Sequence, residues 1–147
     1  MGWGVGMWSE ENPGSRCGGC IGKCVLVADD SQSSRDLLRF ILEQTGCQVI
    51  EAQDGDQALK LVAANCPDLV VLDLNMRGRD GYSVAAELRA NVAFAQMPMV
   101  ALTAGPAQTD HASLVRAGFS TFLSKPIAPS RFRACIQYLL CRPAAKK

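Results

Sequence analysis

The chain of 147 residues carries fifteen basic and fourteen acidic side chains, a formal charge of +1, and shows no basic stripe of the kind that grips a phosphate backbone. Its apolar runs are strand-length and fall short of the roughly 20 residues needed to span a bilayer, and the Gly-rich start lacks the charged flank and apolar middle of a signal peptide. Direct nucleic-acid binding and membrane insertion are thereby disfavoured. A soluble cytoplasmic protein with one core is expected, since a chain of this length buries roughly two thirds of its unfolded surface.

Residues 1–22, "MGWGVGMWSEENPGSRCGGCIG", have neither helical nor strand periodicity and are expected to form a flexible tail. Gly6 stands where a myristoylation signal requires Ser or Thr. Trp3, Met7 and Trp8 allow a short docking patch as an alternative to a bare leader. Cys17 and Cys20 form a CxxC, half of what a zinc site needs. No second CxxC exists and His111 is the single histidine, which weighs against zinc. Of the seven cysteines, Cys24, Cys47, Cys66, Cys135 and Cys141 are read as buried reduced thiols inside regular elements.

From Cys24 onward strands and helices alternate. "CVLVA" (24–28) is a strand buried on both faces and ends at Asp29 and Asp30. The spacing predicts a helix over about 33–45, with Leu37, Leu38, Ile41 and Leu42 as its stripe, Ser31 or Ser33 as cap and Gly46 as stop. "QVIEA" (48–52) is the second strand. Asp54 and Gln57 make a capping signal for a helix over about 56–64, with Ala58, Leu59, Val62 and Ala63 facing inward. "LVVLD" (69–73) is the third strand, followed by a loop and a helix over about 82–91. "MVALT" (99–103), a helix over about 109–117 closed by Gly118, "TFLS" (121–124) and a helix over about 129–141 complete the pattern, the last with Phe132, Cys135, Ile136 and Leu139 or Leu140 inward. Five such alternations predict a doubly wound α/β domain with a five-stranded parallel sheet, which binds ligands beyond the carboxyl ends of its strands. The folded unit is expected over 23–142, with 143–147 as a short C-terminal tail.

Those ends carry Asp29 and Asp30, Asp73, Thr103 and Lys125. Taken singly, each residue type has a common structural use: a turn Asp, a strand-end Thr, a solvated Lys. Together, three carboxylates near 4 Å repel one another by about 4 kcal/mol per pair at an effective dielectric of 20, and one lysine is too little to balance them. Oxygen-rich clusters of this kind suit Mg²⁺, held by one or two carboxylates while it keeps several waters. A strand-end carboxylate can attack a phosphoryl group and form an acyl phosphate, so Asp73 is the candidate nucleophile. Lys125 and Thr103 are the candidate donors to the transferring oxygens, and the small Ala104 leaves them room.

The runs "VLVADDS", "DLVVLDLNM" with "DG" at 80 and 81, "VALTA" and "LSKP", in this order and spacing, resemble the receiver domain of two-component response regulators over about 23–141. The resemblance implies a flavodoxin-like fold with sheet order 2-1-3-4-5. It implies phosphorylation of Asp73 by a phosphohistidine on a histidine kinase or histidine phosphotransfer protein, with no turnover of an outside substrate. Asp29 and Asp30 match the acidic pair, with Asp30 the direct Mg²⁺ ligand, and the backbone carbonyl of Asn75 completes the protein's share. Thr103 and Phe122 match the switch residues, Lys125 the phosphate-binding lysine, and the Lys125–Pro126 bond is expected to be cis. A downstream protein is expected to dock on the face of the fourth helix, fifth strand and fifth helix, about 109–141. Arg77 departs from the family, which commonly has proline there; its side chain is expected to be solvated, or to reach a phosphoryl oxygen or the kinase. A receiver piece of a hybrid histidine kinase and a docking-only receiver are the alternatives. A haloacid-dehalogenase-type phosphatase wants an Asp where Asn75 stands, and a flavodoxin-type binder using "SQSS" (31–34) would meet repulsion from Asp29 and Asp30.

Overall fold

The computed structural model describes residues 21–105 and 111–141. The expectations for Trp3, Met7, Trp8, Cys17 and Cys20, for residues 109–110 and for the C-terminal tail lie outside the described residues. Five strands, β1 (Cys24–Ala28), β2 (Gln48–Ala52), β3 (Leu69–Asp73), β4 (Met99–Thr103) and β5 (Thr121–Ser124), form one parallel sheet in the order β2-β1-β3-β4-β5. All five match the strands read from the sequence. The crossovers are α1 (Gln32–Gln44), α2 (Gly55–Asn65), α3 (Gly81–Ala90) and α4 (His111–Ala117), and α5 (Pro129–Cys141) follows β5.

Two apolar layers hold the sheet between the helices. On one face Leu26, Val70, Leu72 and Met99 meet Ala58, Val62, Val84 and Leu88 from α2 and α3 and Leu114 from α4. On the other, Val25, Val27, Leu69, Val71 and Leu102 meet Leu38, Ile41 and Leu42 from α1 and Phe132 and Ile136 from α5. Covering both faces explains why β3 and β4 read as unbroken apolar runs: every one of their residues is buried. Among the described residues no helix is long and apolar enough to cross a membrane.

Local signals place the helix starts. The Ser31 hydroxyl accepts from Ser34 N–H and begins α1. Asp54 accepts from Gln57 N–H at 2.8 Å, while Gln57 Oε1 receives Gln53 N–H at 2.6 Å, a reciprocal cap close to the predicted box. Asp80 accepts from Ser83 N–H at 2.8 Å and starts α3. Gly81, the second residue of that cap, is a close-approach glycine: a Cβ there would come within 2.8 Å of the Asp73 carbonyl oxygen.

Four readings are corrected. Leu37 and Ala63 face outward, because each stripe turns one residue away from the sheet; Leu61 is half-buried instead. Cys66 is an exposed C-cap in the left-handed conformation (φ 46°), placed there by the turn that ends α2, so it is no core thiol. Cys47 is buried but lies in the turn before β2. A 3-10 turn at Val92–Phe94, capped by Asn91, was not foreseen; Arg89 holds it by donating to the carbonyls of Phe94 (2.8 Å) and Ala95 (3.0 Å).

Candidate phosphoacceptor site

Because β1 and β3 are neighbours with Ala28 opposite Leu72, the residues that follow them arrive at one place on the sheet edge. Asp29, Asp30 and Asp73 each offer a carboxylate oxygen, and these oxygens all lie within 4.8 Å of one another. Asp29 and Asp73 are buried and Asp30 is half-buried. Asp73 Oδ1 accepts from Asn75 N–H at 3.0 Å, and Asp29 Oδ1 from Ser31 N–H at 2.9 Å, so each carboxylate is oriented by the loop that follows it.

Lys125 reaches this cluster from the far side of the sheet. Thr103 on β4 pairs in register with Ser124, and Lys125 N–H donates to the Thr103 carbonyl at 2.8 Å. Its ammonium then stands 3.2 Å from Asp73 Oδ2 and 3.0 Å from Asp29 Oδ2. The Asp29 oxygen is buried with an ionic neighbour but receives no well-directed hydrogen bond. Partial burial pulls the ammonium down, and the carboxylates of Asp29 and Asp73 more than reverse this, so its pKa is raised. Burial pushes the Asp73 carboxyl above its usual range; the Asn75 N–H works against this, the Asp29 charge adds to it, and Lys125 opposes it. The carboxyl therefore carries its charge at a cost that an added cation would remove.

The donor set fits a hard divalent cation. All three candidate ligands are carboxylate oxygens, two are buried, and one of their oxygens lacks a directed donor. Beside them a cleft of about 380 Å³ is lined by Asp30, Asn75, Met76, Arg77, Thr103 and Ala104, among others. The Thr103 hydroxyl is buried 3.5 Å from the Ser124 hydroxyl, and Phe122 is half-buried with its ring edge-to-face on His111, centroids 5.6 Å apart. Lys125–Pro126 is cis, as the resemblance implied.

Two supporting residues were missed. Arg35 is buried at the start of α1 and donates to the Asp29 carbonyl (2.5 Å), to Gln32 Oε1 (2.5 Å) and to Glu51 Oε1 (3.0 Å). Glu51 also pairs with Arg39. The acidic pair is thus tied to α1 and β2 through one guanidinium. Its signal in the sequence was a charged residue three before Leu38 and seven before Leu42, on the inward stripe of the helix.

The response regulator receiver domain family model matches residues 25–137. A 14.6 kDa protein of Leptolyngbya boryana is 37% identical over 120 residues, covering 81% of this chain and 92% of its own length. The Bacillus subtilis alkaline phosphatase synthesis transcriptional regulatory protein PhoP is 34% identical over 122 residues; the match covers 83% of this chain and 50% of PhoP. The chain thus spans about half the length of such regulators. Among solved structures, Vibrio cholerae CheY4 superposes with a TM-score of 0.77 at 26% identity, covering 82% of this chain and all of CheY4. The receiver domain of the Pseudomonas aeruginosa sensor histidine kinase PA1611, solved with magnesium coordinated in its active-site cleft, gives 0.76 at 26% identity over 83% of this chain. With its sheet order and strand-end acidic cluster, the chain belongs to the family of response regulator receiver domains.

Proposed function

We propose that this receiver domain, over 23–142, is a working phosphoacceptor: Asp73 takes a phosphoryl group from a phosphohistidine on a histidine kinase or histidine phosphotransfer protein. The observation that carries this reading is the convergence of Asp29, Asp30 and Asp73 within 4.8 Å, with Lys125 on two of them. In the transfer an Asp73 oxygen attacks phosphorus, the P–N bond breaks, and the imidazole keeps the electron pair and takes up a proton. Asp29, Asp30, Asp73 and the Asn75 carbonyl would hold Mg²⁺, which offsets charge on the transferring oxygens. Lys125 clamps one phosphoryl oxygen and Thr103 donates to another. Closure of Thr103, followed by Phe122, shifts the domain toward its partner-binding form.

The face built from α4, β5 and α5 is proposed to carry the signal onward by binding a protein. Val115 and Tyr138 expose apolar surface there, the latter at 67%. The site acts on its own carboxylate, in the cytoplasm, and the domain is not proposed to touch nucleic acid itself. The test is intact-mass analysis after incubation with Mg²⁺ and acetyl phosphate, or with a phosphorylated kinase. One adduct of about 80 Da, stable in acid, labile in base and absent from Asp73→Asn, is expected. No adduct with either donor, or an adduct that survives Asp73→Asn, would overturn the reading.

A further inference from the structure

Arg77 sits in the loop between β3 and α3 and is 87% exposed, yet its Nε lies 3.8 Å from Asp30 Oδ2 at the mouth of the acidic cleft. That distance is an ion pair without a hydrogen bond, so the side chain is free to serve more than one anion. The loop around it is held in place. Two residues on, Arg79 pairs with Asp56 of α2 at 3.0 Å and with Glu87 of α3 at 2.8 Å, and Gly78 between them takes a positive φ of 78°. The backbone therefore keeps the guanidinium beside the cleft, with its side chain open to solvent.

Charge decides what this arrangement does. Three carboxylates and one ammonium leave the cluster with two net negative charges, and Arg77 lowers that to one. A divalent cation entering at Asp30 displaces an existing partner and meets a like charge. An arriving phosphoryl group brings further negative charge and gives the guanidinium a new partner.

We propose that Arg77 is a positioning residue that couples the two ligands of the site: it opposes divalent-cation binding while the phosphoryl position is empty and favours it once an anion is there. The inference rests on the phosphoacceptor reading above. Its test is calorimetric titration of the full chain with Mg²⁺, with and without beryllofluoride as phosphoryl mimic, for wild type, Arg77→Gln, Asp30→Asn and the double variant. Exposed ion pairs are worth little singly, and a doubly charged ligand doubles the Coulomb term, so Arg77→Gln should tighten Mg²⁺ binding about three- to tenfold in low salt. It should also reduce the gain in Mg²⁺ affinity that beryllofluoride produces. Both differences should shrink in 1 M salt, where the screening length is about 3 Å, and in the Asp30→Asn background. Equal affinity and equal coupling in wild type and Arg77→Gln would overturn the inference while leaving the phosphoacceptor reading intact. A wild-type chain that takes up no Mg²⁺ under any of these conditions would overturn both.

Discussion

Replacing Asp73 with asparagine should make the metal-free domain more stable. The Asp73 oxygen lies within 4.8 Å of a carboxylate oxygen from each of Asp29 and Asp30, so each pair repels by at least about 3.5 kcal/mol at an effective dielectric of 20. The Lys125 ammonium, 3.2 Å from Asp73, returns about 5 kcal/mol on the same scale. Repulsion therefore exceeds attraction by about 2 kcal/mol, before burial of the charge is added. Asparagine removes that excess and its side-chain oxygen still accepts from the Asn75 N–H. The sign agrees with the raised Asp73 pKa. A carboxyl raised on folding penalises the native state above that pKa, and the penalty fades as pH falls toward the unfolded value. Asp73→Asn should thus gain about 2 kcal/mol at neutral pH in chelator, or roughly 5–10 °C in Tm, with the gain shrinking in acid. Urea denaturation in EDTA against excess Mg²⁺ measures it, because the cation should stabilise wild type and leave the variant nearly unchanged. An Asp73→Asn domain less stable than wild type in chelator would refute the reasoning, since it would mean that Lys125 outweighs the other two carboxylates.

Cys66→Gly should stabilise the fold by about 1 kcal/mol, because Cys66 caps α2 in the left-handed region that glycine occupies without a Cβ penalty. A thermal melt no higher than wild type would contradict this. Lys125→Ala should still accept a phosphoryl group from a small donor, at a rate lower by about tenfold or more, yet fail to bring Thr103 and Phe122 to their switched positions. Backbone NMR shifts at β4, β5 and α4 before and after phosphorylation are the readout. A full wild-type shift pattern in Lys125→Ala would remove the role given to its ammonium.

The interior strands β1, β3 and β4 were legible to the residue because a parallel strand covered on both faces is apolar along nearly its whole length, and a carboxylate or a hydroxyl closes each run; β2 and β5, at the edges and less covered, showed only shorter apolar stretches. The candidate site was legible for the same reason: Asp29, Asp30, Asp73 and Thr103 are the polar residues that close such runs, and the structure brings the three carboxylates together. Helix faces were less so. Ala63 and Leu37 are apolar residues one step off the inward stripe, and apolarity alone does not tell a flank from a face. Arg35 was hidden by the opposite bias, since a charged residue reads as solvated until Asp29 O, Gln32 and Glu51 are seen to satisfy its guanidinium. The Val92–Phe94 turn depends on the Phe94 and Ala95 carbonyls held by Arg89 near the end of α3, whose guanidinium also donates to the distant Gly118 carbonyl, and no apolar periodicity carries such contacts. Arg77 could be placed in its loop but not against Asp30, which belongs to a different strand end.

The division of the site between strands has a mechanical consequence. Asp29, Asp30 and Asp73 follow β1 and β3, interior strands flanked on both sides by others. Phe122 lies on β5 and Lys125 directly follows it; β5 is an edge strand whose residues are all half-buried. Local opening is least costly where cover is thinnest, so the groups proposed to receive the phosphoryl stand on an anvil and those proposed to report its arrival stand on a spring.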